Sequence, residues 1–301
     1  MKQRLLFVLA ISCCWLGGCV NIKLVSTFCT TSAGSVQIGT RLPSSFTDVY
    51  QQRTLEDSLD RHPFNRIPLI GIDFPERIRK DSLRSYQLAD SLVQNANTLL
   101  ISYFQALAAL SATGDSFVPV QLKSATFNSF LQSPAGNFSA EETAAFNRVA
   151  NLLGSMATGA YRRHKLASLL EQSHSDVTRL ISVLIFAHER LAQVVDLSRD
   201  QQYGHYKNVL IRDPTLTYLQ KRELARQWLQ TTKAIEQTKQ AVLTHVKTLK
   251  TVQKGYSDLY EHRKKLTGKA IVTSLGTYVS TLKQLRTDLD QLIPVYGRLK
   301  P

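Results

Sequence analysis

The stretch DPTLTYLQKRELARQWLQTTKAIEQTKQAVLTHVKTLKTVQKGYSDLYEH, residues 213–262, decides the fold class, because it keeps one face apolar and the opposite face basic throughout. Trp228, Ile235, Val242, Leu249 and Tyr256 recur every seven residues, and Thr231, Thr238, His245, Val252 and Leu259 lie three places behind them. At about 100° per residue the first five share an arc with Leu224, Val246 and Tyr260. Lys221, Arg222, Arg226, Lys233, Lys239, Lys247, Lys250 and Lys254 fill the opposite arc. The pattern predicts one helix with an apolar seam, entered through Asp213 as N-cap and Pro214 in the first turn. A straight helix of that span is roughly 70 Å long and needs long partners.

The rest of the chain supplies helical periodicity of the same kind. Ser44 or Ser45 can cap a short helix through Phe46, Val49, Tyr50, Leu55 and Leu59, and a Pro- and Gly-bearing connection follows at 61–75. Residues 75–113 place Ile78, Leu83, Tyr86, Leu92, Leu99, Leu100, Tyr103, Phe104 and Leu107 at helical spacing, with Gly114 as the stop. The Phe-rich segment 114–138 reads as a long loop that caps one end of a bundle, with a partner-binding aromatic tip as the alternative. Ser139 with Glu142 has the capping-box spacing, and an apolar pattern runs from there to Val195, frayed near Gly204. After Gly268, Leu275, Tyr278, Leu282, Leu285, Leu289, Leu292 and Tyr296 form a last heptad run. No strand-like alternation of useful length appears. The fold expected is all-α: an elongated antiparallel bundle of four to five long helices with coiled-coil-like seams.

Charge is distributed unevenly along the 301 residues. Against 37 Lys and Arg there are 23 Asp and Glu, for a formal net charge of +14. From Thr215 to Pro301 there are 16 Lys and Arg against 6 Asp and Glu, so most of the excess lies in the last third. A positive band of this kind favours anionic surfaces and is screened by salt.

The amino terminus points to a compartment. Lys2 and Arg4 precede the short apolar run Leu5 to Ile11, which has the layout of a secretory leader and is too short to span a bilayer. Leu16-Gly17-Gly18-Cys19 then resembles the lipobox of bacterial lipoproteins. That resemblance covers only the leader, and it implies that Cys19 is lipidated and becomes the first mature residue. Val20, where an inner-membrane retention signal would be Asp, implies the outer membrane, with the protein facing the periplasm. The expected organisation is a leader at 1–18, a flexible tether at 19–43 and one helical-bundle domain at 44–301. Cys29 is then the one thiol that is neither removed nor acylated, so no disulfide framework is expected.

Motifs for chemistry are sparse. There is no glycine-rich phosphate loop, no HExxH and no paired CxxC. Glu171 and His174 have the Glu-x-x-His spacing of carboxylate-bridged metal bundles, but such sites need two copies and one is present. His188 and Glu189 are adjacent and so point to different sides of a helix. Tyr203, His205 and Tyr206 beside Gly204 form an aromatic cluster near a helix end. The expectation is a non-enzymatic, cofactor-free structural or adaptor protein held to the membrane through Cys19. Its eight-cation face, Lys221 to Lys254, would bind an anionic envelope component or an acidic protein, and export argues against nucleic acid. Two rival readings are a membrane-active protein inserting a hairpin around 96–131 and a metal-dependent bundle enzyme at Glu171 and His174.

Overall fold

In the computed structural model, which describes residues 23–52, 76–111, 141, 144, 145, 147–149, 151, 152, 166–266 and 268–297, every regular element is a helix. In chain order these are α1 (23–38), a 3-10 turn at Gly39–Arg41, α2 (46–52), α3 (Glu76–Ser111), helical residues within 141–152 (α4), α5 (Leu166–Arg212), α6 (Tyr218–Glu261) and α7 (Lys269–Gly297). The expected all-α bundle is what forms, and no strand occurs among the described residues.

α5 and α6 make an antiparallel hairpin whose register is fixed by charge pairs at rising distance from the turn. Lys239 meets Asp196 at 2.8 Å, Lys250 meets Glu189 at 2.7 Å and Arg263 meets Glu171 at 3.0 Å. α7 returns along α6, with Tyr278 donating to Asp258 at 2.8 Å, and Leu289 packs with Ala241 and Ile38. α3 lies over the same seam, where Tyr103 and Phe104 meet Tyr256 edge to face. One end of the bundle, the base, holds the α6–α7 turn at 262–268, and the other holds the hairpin turn at 213–217.

The largest departure from expectation lies before residue 44. Residues 23–38 are a buried helix and not a tether, with Val25, Phe28, Cys29, Ser32, Ala33 and Val36 facing the core. The physical reason is periodicity: these residues fall on one face at i, i+3, i+4 spacing, and burying Phe28 or Val36 contributes roughly 1.5–3 kcal/mol each. Ser26 donates to the Ala108 carbonyl at 3.0 Å, joining α1 to the end of α3. α1 runs antiparallel to α6, since Phe28 lies against Gly255 and Gly39 against His245. Its start is therefore at the base. Counting along α6 from that level to the turn gives a separation of roughly 60 Å.

Two smaller corrections concern helix ends. α6 starts at Tyr218, not beside Pro214, because Thr217 is the N-cap and forms a capping box with Gln220. Asp213 is used instead inside the turn, accepting from the Thr215 amide at 2.8 Å and from its hydroxyl. Nor does Gly204 fray α5, which is helical through to Arg212. As expected, Ser45 caps α2, exchanging hydrogen bonds with Asp48, while the Asp90 carboxylate receives the Phe46 and Thr47 amides at 2.8 and 2.9 Å. The expected Gly114 stop, the 114–138 loop and the Ser139–Glu142 box lie outside the described residues.

Close approach of α1 to α6 depends on Gly255, where an added Cβ would stand 2.5 Å from the Phe28 ring. Gly255→Ala is expected to lower stability by about 1–3 kcal/mol despite the better helix propensity of Ala. Phe28→Leu in the same chain should restore part of the loss. Urea titration followed by helical circular dichroism checks both, and an unchanged Gly255→Ala midpoint would mean that α1 does not pack there.

Candidate functional site

The eight cations of the expected binding face lie on one helix, α6, but they do not form one free surface. Lys239 and Lys250 turn towards α5 and are spent on Asp196 and Glu189, and Arg226 pairs with Glu223 at 3.1 Å. Lys221, Arg222, Lys233, Lys247 and Lys254 make no ion pair among the described residues, and all but the half-buried Lys221 are exposed. Interior position explains the split. Residues at the α5 edge of the arc meet acids on the neighbouring helix, whereas those further round look outward. Cys19, with the rest of the leader, lies outside the described residues.

Beyond the level of Lys233 the described residues belong to α5 and α6 alone. α7 ends and α3 begins near that level, judged by Tyr278 beside Asp258 and by Tyr86 packing with Val242. No residue from 203 to 237 is buried. The resulting arm extends roughly 20 Å to the turn. Inside it, Trp228 is flanked by Tyr203 and Tyr206 at ring-centroid distances of 5.7 and 5.1 Å, so the expected aromatic cluster is the glue between the two strands of the arm. Its outer side carries Ile211, Tyr218, Leu219 and Leu229, exposed by 68%, 79%, 71% and 62%. Periodicity had assigned these residues no role. Their exposure follows from where the neighbouring helices stop.

Two polar groupings lie inside the bundle. Tyr103 Oη is 2.6 Å from Ser173 Oγ and 2.9 Å from Tyr256 Oη, and Ser173 Oγ is 2.7 Å from the Leu169 carbonyl. A relay in which Tyr256 donates to Tyr103, Tyr103 to Ser173 and Ser173 to Leu169 satisfies all three hydroxyls. Burial pushes both phenols and the Cys29 thiol well above their ordinary ranges, so none of them ionises near neutral pH. This network holds α3, α5 and α6 in register and offers no activated base or nucleophile. Glu171 and His174 do not converge: Glu171 binds Arg263, while His174 stacks on Tyr260 at 3.7 Å between ring centroids. No group of three His, Cys, Asp or Glu side chains converges among the described residues. The apolar segment 96–111 is buried in the core, and no helix among the described residues is long and apolar enough to cross a membrane.

The second grouping is a histidine pair. His188 and His245 are both buried, with ring centroids 4.7 Å apart. His188 Nδ1 donates to the Leu184 carbonyl at 2.7 Å, while His245 is packed against Gly39, where an added Cβ would collide with its ring. Glu189, next in sequence, points outward to Lys250, as helical geometry required. Comparison with known protein families, curated proteins and solved structures finds no match for this chain.

Burial lowers the pKa of both histidines, and for His245 the neighbouring His188 adds to the effect. Each ring is then neutral when folded and takes up a proton on unfolding below the ordinary value of 6.5. The stability they retain above that pH is lost as pH falls through it, by about 1.4 kcal/mol per pH unit for each ring. Urea midpoints measured between about pH 7.5 and about pH 5.5 should decline on this account, and His245→Gln should flatten the decline. A midpoint that does not move over that range would refute the burial of the pair.

Proposed function

We propose that the chain is a lipid-anchored protein of the bacterial cell envelope, acting without catalysis as a structural or adaptor module that holds an anionic partner. The observation that carries this reading is the outward-facing set Arg222, Lys233, Lys247 and Lys254, cations exposed along α6 that make no ion pair among the described residues. An exposed lysine or arginine already matched to an acid adds little to binding, whereas unmatched cations along one rod attract an extended negative surface. The interior supports the non-catalytic part in that the Tyr103, Ser173 and Tyr256 hydroxyls bond to one another and His188 donates to the Leu184 carbonyl.

Anchoring rests on Leu16-Gly17-Gly18-Cys19. With α1 helical from residue 23, the first described, an acylated Cys19 four residues before it would hold the base of the bundle close to the bilayer and not at the end of a long leash. This favours the outer membrane by the residue after the cysteine, and it makes the shaft of α6 the part presented to the periplasm.

Two measurements test the proposal separately. Mass spectrometry of the protein from its native membrane should find diacyl- or triacyl-Cys19 as the first residue, and a different or unacylated amino terminus would remove the anchor. Replacing Arg222, Lys233, Lys247 and Lys254 by Glu should abolish co-purification of the envelope partner after crosslinking while leaving the circular-dichroism spectrum unchanged. If crosslinked partners are recovered undiminished, the basic face is only a solvated surface.

A further inference from the structure

The end of the arm carries an apolar cap backed by a cationic collar, and we propose that it docks into the headgroup layer of an anionic phospholipid bilayer. The cap is made by Ile211 from α5 with Tyr218 and Leu219 from α6, all within a turn or two of the hairpin turn. Phe186 and Leu197 are exposed singly on the shaft of α5, whereas these three flank one turn and offer a joint apolar surface. Within the chain nothing described reaches them, because the neighbouring helices stop near the level of Lys233.

Charge selects the occupant. From 203 to 237 there are six cations, Lys207, Arg212, Lys221, Arg222, Arg226 and Lys233, against the three acids Asp213, Glu223 and Glu236. Two of those acids are already engaged: Asp213 by the Thr215 amide and hydroxyl, and Glu223 by Arg226. The third, Glu236, sits at the root of the arm near Arg199. Arg212 and Arg222 stand beside the apolar cap with no ion pair among the described residues, and Lys221 is near enough to help hold the Asp213 carboxyl below its ordinary range without forming one. A second copy of the chain would bring like charge to like charge. An apolar acceptor alone would leave the collar unmatched. A bilayer surface with anionic headgroups accepts both parts at once, the cap at the boundary between headgroups and acyl chains and the collar on the phosphates.

The docking geometry stands independently of the anchor, and only the identity of the bilayer rests on the proposed acylation of Cys19. If that acylation holds, base and tip lie roughly 60 Å apart, so the bilayer reached by the tip is not the patch that holds the base.

The test uses the full chain with Trp15→Phe, Trp228→Phe and Leu219→Trp, which leaves one indole, at the tip. Vesicles rich in brominated phosphatidylglycerol should quench its fluorescence about two-fold at low salt, while brominated phosphatidylcholine vesicles should leave it nearly unchanged. Added salt should reverse the quenching. In the same background Lys221→Gln with Arg222→Gln should weaken the vesicle titration about 30-fold. Circular dichroism and the urea midpoint of the probe chain establish that Trp228→Phe, which keeps an aromatic ring between Tyr203 and Tyr206, and the exposed Leu219→Trp leave the arm folded. Absence of quenching by the anionic vesicles overturns the proposal, and if poly-glutamate then shifts the emission, the tip belongs to an acidic protein instead. Equal quenching by both lipids would also overturn it, because the collar would have no part. An unacylated Cys19 leaves all of these readouts in place.

Discussion

The structure depends on removing the seam of Tyr218–Glu261 from water, which no single neighbour can do. Its buried residues, from Thr238 to Leu259, span about half of the helix circumference. A two-helix contact covers only a narrower stripe, so α5, α7, α1 and α3 all gather on the same rod. Where the seam continues before Thr238, full burial ends among the described residues and the Trp228 stack with Tyr203 and Tyr206 spans the hairpin. One helix therefore has two environments along its length: a core member near the base and half of a two-stranded arm beyond it.

Hydrophobic burial draws the helices together without choosing their offsets, and here the polar interior supplies that choice. The Tyr103–Ser173–Tyr256 relay is satisfied in one relative position of α3, α5 and α6. A slip of one turn would leave hydroxyls buried without partners, at a cost of about 1–3 kcal/mol each. Gly39 and Gly255 act by shape in the same way, since each admits one ring, His245 or Phe28, in space a methyl would fill. The flanking pairs Asp196–Lys239 and Glu189–Lys250 repeat the register at the surface, where they add little energy but penalise other alignments.

Much of this was legible in the residues. The heptads of 228–256 and 275–292, the core nature of 96–111 and the Ser45 cap all follow from spacing and local hydrogen-bonding capacity. α1 was hidden by composition: Thr27, Thr30, Thr31, Ser32 and Ser35 look like a linker, yet Ser32 and Ser35 are small enough to lie against neighbouring helices while Val25, Phe28 and Val36 carry the apolar stripe. The start of α6 was a choice between two good signals, Asp213-Pro214 and Thr217-x-x-Gln220, and the second won because the first was consumed by the turn. For the basic face, the arc of eight cations was readable, but which of them meet acids depends on the offset between α5 and α6. The tip was least legible. Ile211, Tyr218 and Leu219 look like ordinary seam and flank residues until the lengths of the surrounding helices are known.

The way the hairpin outruns its neighbours also separates reach from stability. Among the described residues the arm touches the rest of the molecule only at its root, so its length is set by the α5–α6 register alone. A matched seven-residue block added to both strands would move the turn outward by about 10 Å and keep the seam in phase. A deletion would shorten it equally, with the histidine pair and tyrosine relay untouched. The protein is built like a ruler whose graduations can be changed without altering the handle.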